Sequence, residues 1–229
     1  MKRPAKNMAK NMANNLTDNL IADLAGDLPP VKRLAHPAKR LAGWMAVALP
    51  VSLFLGAVVE QQHVTLAMER IRDPRILLEL TAILLTAIAA GYAALCSTQP
   101  GRFSKAWALP VAPFVLWLSL IGENCWRLFE QIGADQFSLA PHWTCYPSIA
   151  ATGFAPALVM VVLLKRGALL TPTMTVALGT LAAAALGAVG LRLYHPPDAT
   201  AMLMLWQLIA TLTFLGLASL VSGYMSKRA

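Results

Sequence analysis

The chain has 229 residues, of which 57% are hydrophobic and 13% charged, with a formal net charge of +8. Soluble domains carry about 25% charged residues. With a mean hydropathy of +0.58, the composition excludes an ordinary soluble enzyme and a disordered chain, and directs attention to where the apolar residues sit.

Residues 1–40 form a polar lead, expected to be a cytosolic segment. It opens with the near-repeat AKNMAKNMANN and continues as TDNLIADLAGDLPPVKRL, Thr17 to Leu34. Within the latter the spacing predicts an amphipathic helix over residues 16–28. Counted at 100° per residue from Leu16, the side chains of Leu20, Ile21, Leu24 and Leu28 lie within an arc of about 140°. Asp18, Asn19 and Asp23 fall elsewhere, and Asp27 intrudes on the apolar arc. Thr17 suits the N-cap, Asp18 suits the positive end of the helix dipole, and Pro29 and Pro30 stop the helix. So short a helix is marginal alone in water, so its apolar face needs a surface: the bilayer, the chain's own loops or a soluble partner. Between Leu16 and Leu28 there are three carboxylates and no basic residue. Membrane-surface helices are usually rich in Lys and Arg, and anionic lipid repels this one. An apolar groove with a basic rim on another protein fits better.

Residues 41–229 read as the membrane domain. A span needs roughly 20 mainly apolar residues. Six uncharged runs come close to this or exceed it: Leu41–Val59, Leu80–Thr98, Ala106–Gly122, Tyr146–Leu164, Gly167–Leu191 and Ala199–Ser226. Only helices and closed barrels satisfy their backbone in lipid, and these runs are too long and too uniformly apolar for barrel strands. The predicted class is therefore all-α, an integral membrane bundle of six transmembrane helices. The first run follows a long polar lead without a cleavage pattern, so it is expected to stay in the mature protein. With both termini on one side, 14 of the 19 Lys and Arg fall on that side. The positive-inside rule then places both termini in the cytoplasm. Trp44, Trp107 and Tyr224 fall near the inner interface, and Trp126, Trp143, Tyr146 and Tyr194 near the outer one, as interfacial aromatics do. The basic tail has no recognised motif or interleaved aromatics, so no direct contact with nucleic acid is expected.

Inside the spans, Gly179, Ala183 and Gly187 recur every four residues. Small residues at this spacing let helices approach closely, within the bundle or, alternatively, between two copies in a homodimer. Pro50, Pro110, Pro113 and Pro156 fall inside other spans, where proline removes a donor and kinks a helix. No span has a charged residue at its centre, which argues against a proton or ion pump. Glu79, at the outer start of the second span, is expected to pair with Arg75 across one turn. The outer segments Glu60–Glu79, Glu123–Cys145 and Arg192–Asp198 are too short for a catalytic domain. In the first, MERIRDPRILLEL suggests an interfacial helix broken near Pro74. The chain has no HExxH, no paired carboxylates within a span and no phosphate loop, so neither an enzyme nor a resident cofactor is expected. A small transporter or channel subunit is the alternative. Its hints are Thr81, Thr86, Ser119, Thr175, Thr211 and Thr213, which packing hydrogen bonds explain equally well.

Four stretches in order resemble the NrsF-type family of six-span anti-sigma factors, negative regulators of extracytoplasmic-function sigma factors. They are TDNLIADLAGDLPPVKRL, DPRILLEL at Asp73–Leu80, LLKRGALLTP at Leu163–Pro172, and LAAAALGAVGLRLYHPPD at Leu181–Asp198 with the Trp206 region after it. The likeness spans roughly residues 16–225. It implies a protein of the bacterial inner membrane whose cytosolic helix binds such a sigma factor and keeps it from RNA polymerase until stress releases it. The implied binding face is Leu20, Ile21, Leu24, Leu28 and Val31, with Asp18, Asp23 and Asp27 meeting basic sigma residues.

The resemblance also implies two cysteines on the outer side. Cys145, in HWTCY, matches the first, but His195, in YHPP, stands where the second is expected. That departure leaves alternatives. Cys125 and Cys145 form a disulfide in an oxidising periplasm, or Cys145 and His195, with His142 or Cys125, hold a soft metal ion such as copper or zinc, or these are polar interfacial residues without a sensing role. The topology has a direct check: an amino-terminal tag should be cut by protease in inverted vesicles and protected in intact spheroplasts, and the opposite pattern would reverse the orientation.

Overall fold

A computed structural model describes residues 3–26, 34–60, 64–101, 105–133, 145–167 and 171–194, with Thr213 and Gly216. Every regular element among them is helical. The chain divides into two compact units, Met1–Leu34 and Ala35–Ala229.

The first unit holds α1, Arg3–Gly26. It begins well before the helix expected over 16–28, so Thr17 lies within the helix and not at its start. The reason is local: the near-repeat supplies Ala, Lys and Met, all good helix formers. Asp27, Leu28 and Val31 lie outside the described residues.

The second unit holds α2 (Pro37–Glu60), α3 (Val64–Ile71), α4 (Pro74–Cys96), a 3₁₀ turn (Ala106–Ala108), α5 (Val111–Ile132), α6 (Cys145–Leu164) and α7 (Pro172–Tyr194). Among the described residues, four helical stretches are long and apolar enough to cross a membrane: Pro37–Val59, Pro74–Cys96, Ala106–Gln131 and Pro172–Tyr194; Ser148–Leu164 is apolar but shorter. Of the expected sixth span, Ala199–Ser226, only Thr213 and Gly216 are described.

Local chemistry sets the helix ends. Asp73 caps α4, its Oδ1 accepting from the Arg75 backbone N–H at 2.9 Å, with Pro74 in the first turn. Both are favoured there, because the first N–H groups of a helix have no partner within it. The break expected near Pro74 is this junction between α3 and α4. Pro110 stands at the N-cap of α5 and Pro113 in its first turn, so neither interrupts the hydrogen-bond ladder, contrary to the kink their position in a span suggested. α5 then runs ten residues beyond Gly122, so the outer segment Glu123–Cys145 begins as helix. It stops at Gly133, whose φ of 76° is open to glycine and whose N–H donates to Phe129 O at 2.9 Å.

Pro50 and Pro156 do lie inside helices. Pro156 has no N–H for the Thr152 carbonyl one turn earlier, and Ser52 Oγ of α2 donates to that oxygen instead, at a long 3.5 Å. Trp44 Nε1 donates to Pro156 O at 3.0 Å. Thus α2 covers the irregular stretch of α6.

α7 packs against α2, α3, α4 and α6, whereas α5 packs on α4. Its small residues permit this. A Cβ on Gly187 would stand 2.9 Å from Gly153 Cα of α6, and one on Gly56 of α2 would stand 2.8 Å from Gly190 O. A Cβ on Gly190 would collide with the Ser52 carbonyl. Gly179 faces Leu164 and Met160 of α6. The Gly179–Ala183–Gly187 stripe is therefore spent inside the bundle. Gly190→Leu should cost about 3 kcal/mol or prevent folding, whereas Gly122→Ala, with nothing within 4 Å of an added Cβ, should be neutral or slightly stabilising; thermal unfolding in detergent compares the two.

Candidate functional site

Two features of the chain lie outside ordinary helix packing. The first is the face of α1. Every residue from Asn15 to Gly26 is exposed, including Leu16 (67%), Leu20 (58%), Ile21 (58%) and Leu24 (60%). These four recur at helical spacing, so they form a continuous apolar stripe flanked by Asp18 and Asp23. α1 has no acidic residue in its first turn and no basic residue in its last. Its carboxylates lie instead toward the C-terminal half, where the dipole disfavours them. A helix with an uncovered apolar face and an opposing charge pattern gains little from its own sequence. What it offers is a recognition face of i, i+4 and i+5 anchors.

The second feature is a buried polar cluster joining four helices. Glu79 of α4 is 3% exposed. Its Oε2 receives Arg192 Nη2 of α7 at 2.9 Å and Asn124 Nδ2 of α5 at 3.1 Å. Arg70 of α3 donates through Nη1 to the Arg192 carbonyl at 3.0 Å. Burial, and then the positive charge of Arg192, pull the pKa of Arg70 below the ordinary guanidinium value. The expected partner of Glu79, Arg75, is exposed, and its described contact is the backbone bond to the Asp73 cap. Arg192 wins because α7 buries the carboxylate and a buried charge needs a partner in the same low-dielectric site. Both Arg192 and Asn124 escaped the sequence reading. The signal available was their level: each lies near the same end of a predicted span as Glu79.

Four of the six hydroxyls that hinted at a solute path bond back to the preceding turn. Thr81, Thr86, Ser119 and Thr175 donate to Leu77 O, Ala82 O, Val115 O and Thr171 O at 2.7 to 2.9 Å. Thr175 also meets Ser97 of α4 at 2.6 Å. Thr211 lies outside the described residues.

Of the residues considered for sensing, Cys125 is half-buried on α5 beside a shallow hollow that it lines with Gly122, Trp126 and Phe129. Cys145 is the first residue of α6, but its side chain, like all of His142 and His195, falls outside the described residues. Among the described residues no group of three or more His, Cys, Asp or Glu is arranged to hold a metal ion.

Comparison with known proteins places this arrangement. The NrsF family, described as negative regulator of sigma F, matches residues 24–225. The chain belongs to the NrsF family. No curated protein and no solved structure matches it. The family's description makes this NrsF chain a negative regulator with a sigma factor as partner, a role that points away from catalysis. The match takes in the whole helical bundle, the Glu79–Arg192 cluster and Cys125, His142, Cys145 and His195. It begins at Leu24, inside α1, so Leu24, Asp27, Leu28 and Val31 are within it while Asp18, Leu20 and Ile21 precede it.

The buried cluster of this NrsF chain has a stability consequence. Glu79→Ala strands the Arg192 charge and should cost about 3 kcal/mol, whereas Arg75→Ala should change stability by less than about 0.5 kcal/mol. Thermal unfolding in detergent reads both, and equal losses would restore Arg75 as the partner.

Proposed function

We propose that this NrsF-family protein is a membrane-bound anti-sigma factor that captures an extracytoplasmic-function sigma factor through α1 and releases it on envelope, oxidative or metal stress. The single observation that carries the reading is the uncovered stripe of Leu16, Leu20, Ile21 and Leu24 on a helix that precedes an apolar bundle. A soluble sigma factor supplies what that stripe lacks, an apolar groove. Leu28 and Val31 extend the face beyond the described helix, and Asp18, Asp23 and Asp27 suit a basic rim on the partner.

The energetics are adequate. Full burial of one Leu or Ile contributes about 2 kcal/mol, so three or four anchors exceed the ordering cost of a short helix and leave useful affinity. Holding the sigma factor at the inner membrane through this face keeps it from RNA polymerase. Release requires two states of the protein with different affinity for sigma, since a stimulus that does not discriminate them shifts nothing. In this reading the outer segments receive the stimulus, with Cys125, Cys145, His142 and His195 as the residues to vary there. Cys145→Ser combined with His195→Ala should abolish the response to oxidants or metal ions if that site senses them.

The central test concerns the stripe. In the full-length chain, Leu20→Asp or Leu24→Asp should weaken capture of the sigma factor by about 100-fold while membrane insertion is unchanged, as read by a bacterial two-hybrid signal and by membrane fractionation. Undiminished capture by both variants would remove α1 as the binding element.

A further inference from the structure

The bundle is electrically lopsided. Lys39 and Arg40 open α2, Lys105 precedes the 3₁₀ turn, and Lys165 and Arg166 follow α6. Hydrogen bonds gather these segments at one end: Gln99 Nε2 to Ala35 O at 3.2 Å, Arg40 Nη1 to Thr98 Oγ1 at 3.2 Å, and Ser97 to Thr175 at 2.6 Å. From Ala35 onward, the carboxylates whose side chains are described are Glu69, Asp73, Glu79, Glu123 and Glu130, all on segments of the opposite end.

At the basic end Arg40 is 8% exposed, although it carries a full charge. Besides Thr98, its Nη2 donates to the Leu163 carbonyl near the end of α6. The same carbonyl accepts the Arg166 backbone N–H at 3.3 Å. The Arg40 guanidinium and the Arg166 main chain thus meet at one oxygen, and the positive charges of the two side chains repel each other. The helix ends offer only about half a negative charge each. Gly167 packs directly on Thr98, the residue that Arg40 bonds, for a Cβ there would lie 2.5 Å from Thr98 Cβ. Arg166 itself is exposed, as are Lys39 and Lys165.

Apolar surface begins just beneath these cations. Val162, one turn before Arg166, is 54% exposed, and its neighbour Val161 is also open. Arg40 lies one residue ahead of Leu41 in a helix apolar enough to span a bilayer. A cluster of cations set above an exposed aliphatic strip matches a molecule with a phosphate head and an acyl tail. An exposed guanidinium such as that of Arg166 suits phosphate because it presents a planar fork of donors, and basic clusters at the ends of membrane helices attract anionic headgroups.

We infer that Arg166, with Lys39 and Lys165, binds the phosphate of an anionic phospholipid at the basic end of the bundle, the buried Arg40 adding its charge from beneath and the acyl chain lying along Val161 and Val162. Arg40 holds the inner side of the site through α2, α4 and α6, and Arg166 reaches the headgroup from its open side. Bound lipid would then fasten together the helix ends nearest the point where α1 is tethered. The site stands whether or not α1 binds a sigma factor.

The test uses the full-length protein in nanodiscs of phosphatidylcholine alone and of phosphatidylcholine mixed equally with phosphatidylglycerol. The anionic lipid should raise the thermal unfolding midpoint by about 3 °C or more. Arg166→Gln should remove at least half of that increment while the midpoint in phosphatidylcholine stays as in the parent. Arg40→Lys, which keeps the charge but loses the paired bonds to Thr98 and Leu163 that hold it beneath the site, should also reduce it. Arg72→Gln, at the opposite end, should keep the whole increment. Inorganic phosphate added to detergent-solubilised protein should leave the midpoint unchanged. An increment absent in the parent, kept in full by Arg166→Gln, lost equally by Arg72→Gln, or reproduced by inorganic phosphate overturns the lipid site.

Discussion

The bundle depends on how closely α7 can be approached. Between helices in lipid there is no hydrophobic driving force, so association rests on van der Waals contact and on satisfied polar groups. α7 meets this constraint by having almost no side chain where α2 and α6 cross it. Gly187 lies on Gly153, and Gly190 lies between Ser52 and Gly56. The same helix is tied at both ends, by Thr175 to Ser97 and by Arg192 to Glu79. Close contact in the middle and polar ties at the ends fix α7 relative to α4, and the other helices arrange around that pair.

The proline in α6 is tolerated because of the same proximity. Pro156 leaves the Thr152 carbonyl without its helical donor. Only a helix already pressed against α6 can offer a replacement, and α2 does so through Ser52, with Trp44 bonding the Pro156 carbonyl. The two closely packed glycines and the compensated proline therefore form one local solution. Loss of the approach at Gly190 would expose the defect at Pro156. For a protein proposed to change state on stimulation, this matters. The polar ties at the two ends of α7 are discrete contacts that are made or broken, and packed interfaces of this kind switch between states more readily than they deform.

Much of the bundle was legible in the linear sequence. Uncharged runs of near span length forecast α2, α4, α5, α6 and α7 to within a few residues at most ends, because in lipid the backbone has to pair within each segment. The break expected near Pro74 was found, but α4 starts there and not at Leu80, because Asp73 and Pro74 begin a helix ahead of its uncharged run. The errors were local. α1 began far earlier than its apolar pattern because helix propensity continues through the near-repeat, where amphipathicity does not. α5 outran its apolar run because a helix does not have to end where its uncharged stretch does. Pro110 and Pro113 read as kinks until the helix start was known.

Side-chain partners were another matter. Periodicity along α1 was enough to place Leu20, Ile21 and Leu24 on one face, since a single helix places its own residues; Leu16 joins them in the structure. It was enough, too, to show that Gly179, Ala183 and Gly187 share a face. Spacing along one helix could not reveal that Glu79 belongs to Arg192 and Asn124, or that Arg40 and Arg166 share the Leu163 carbonyl. Those pairings join residues far apart in the chain and depend on which helices become neighbours. Sequence alone thus determined the class, the helices and the exposed face, all set by the local backbone and its solvent. The tertiary structure alone decided which charges are buried together, because burial is a property of the assembled bundle.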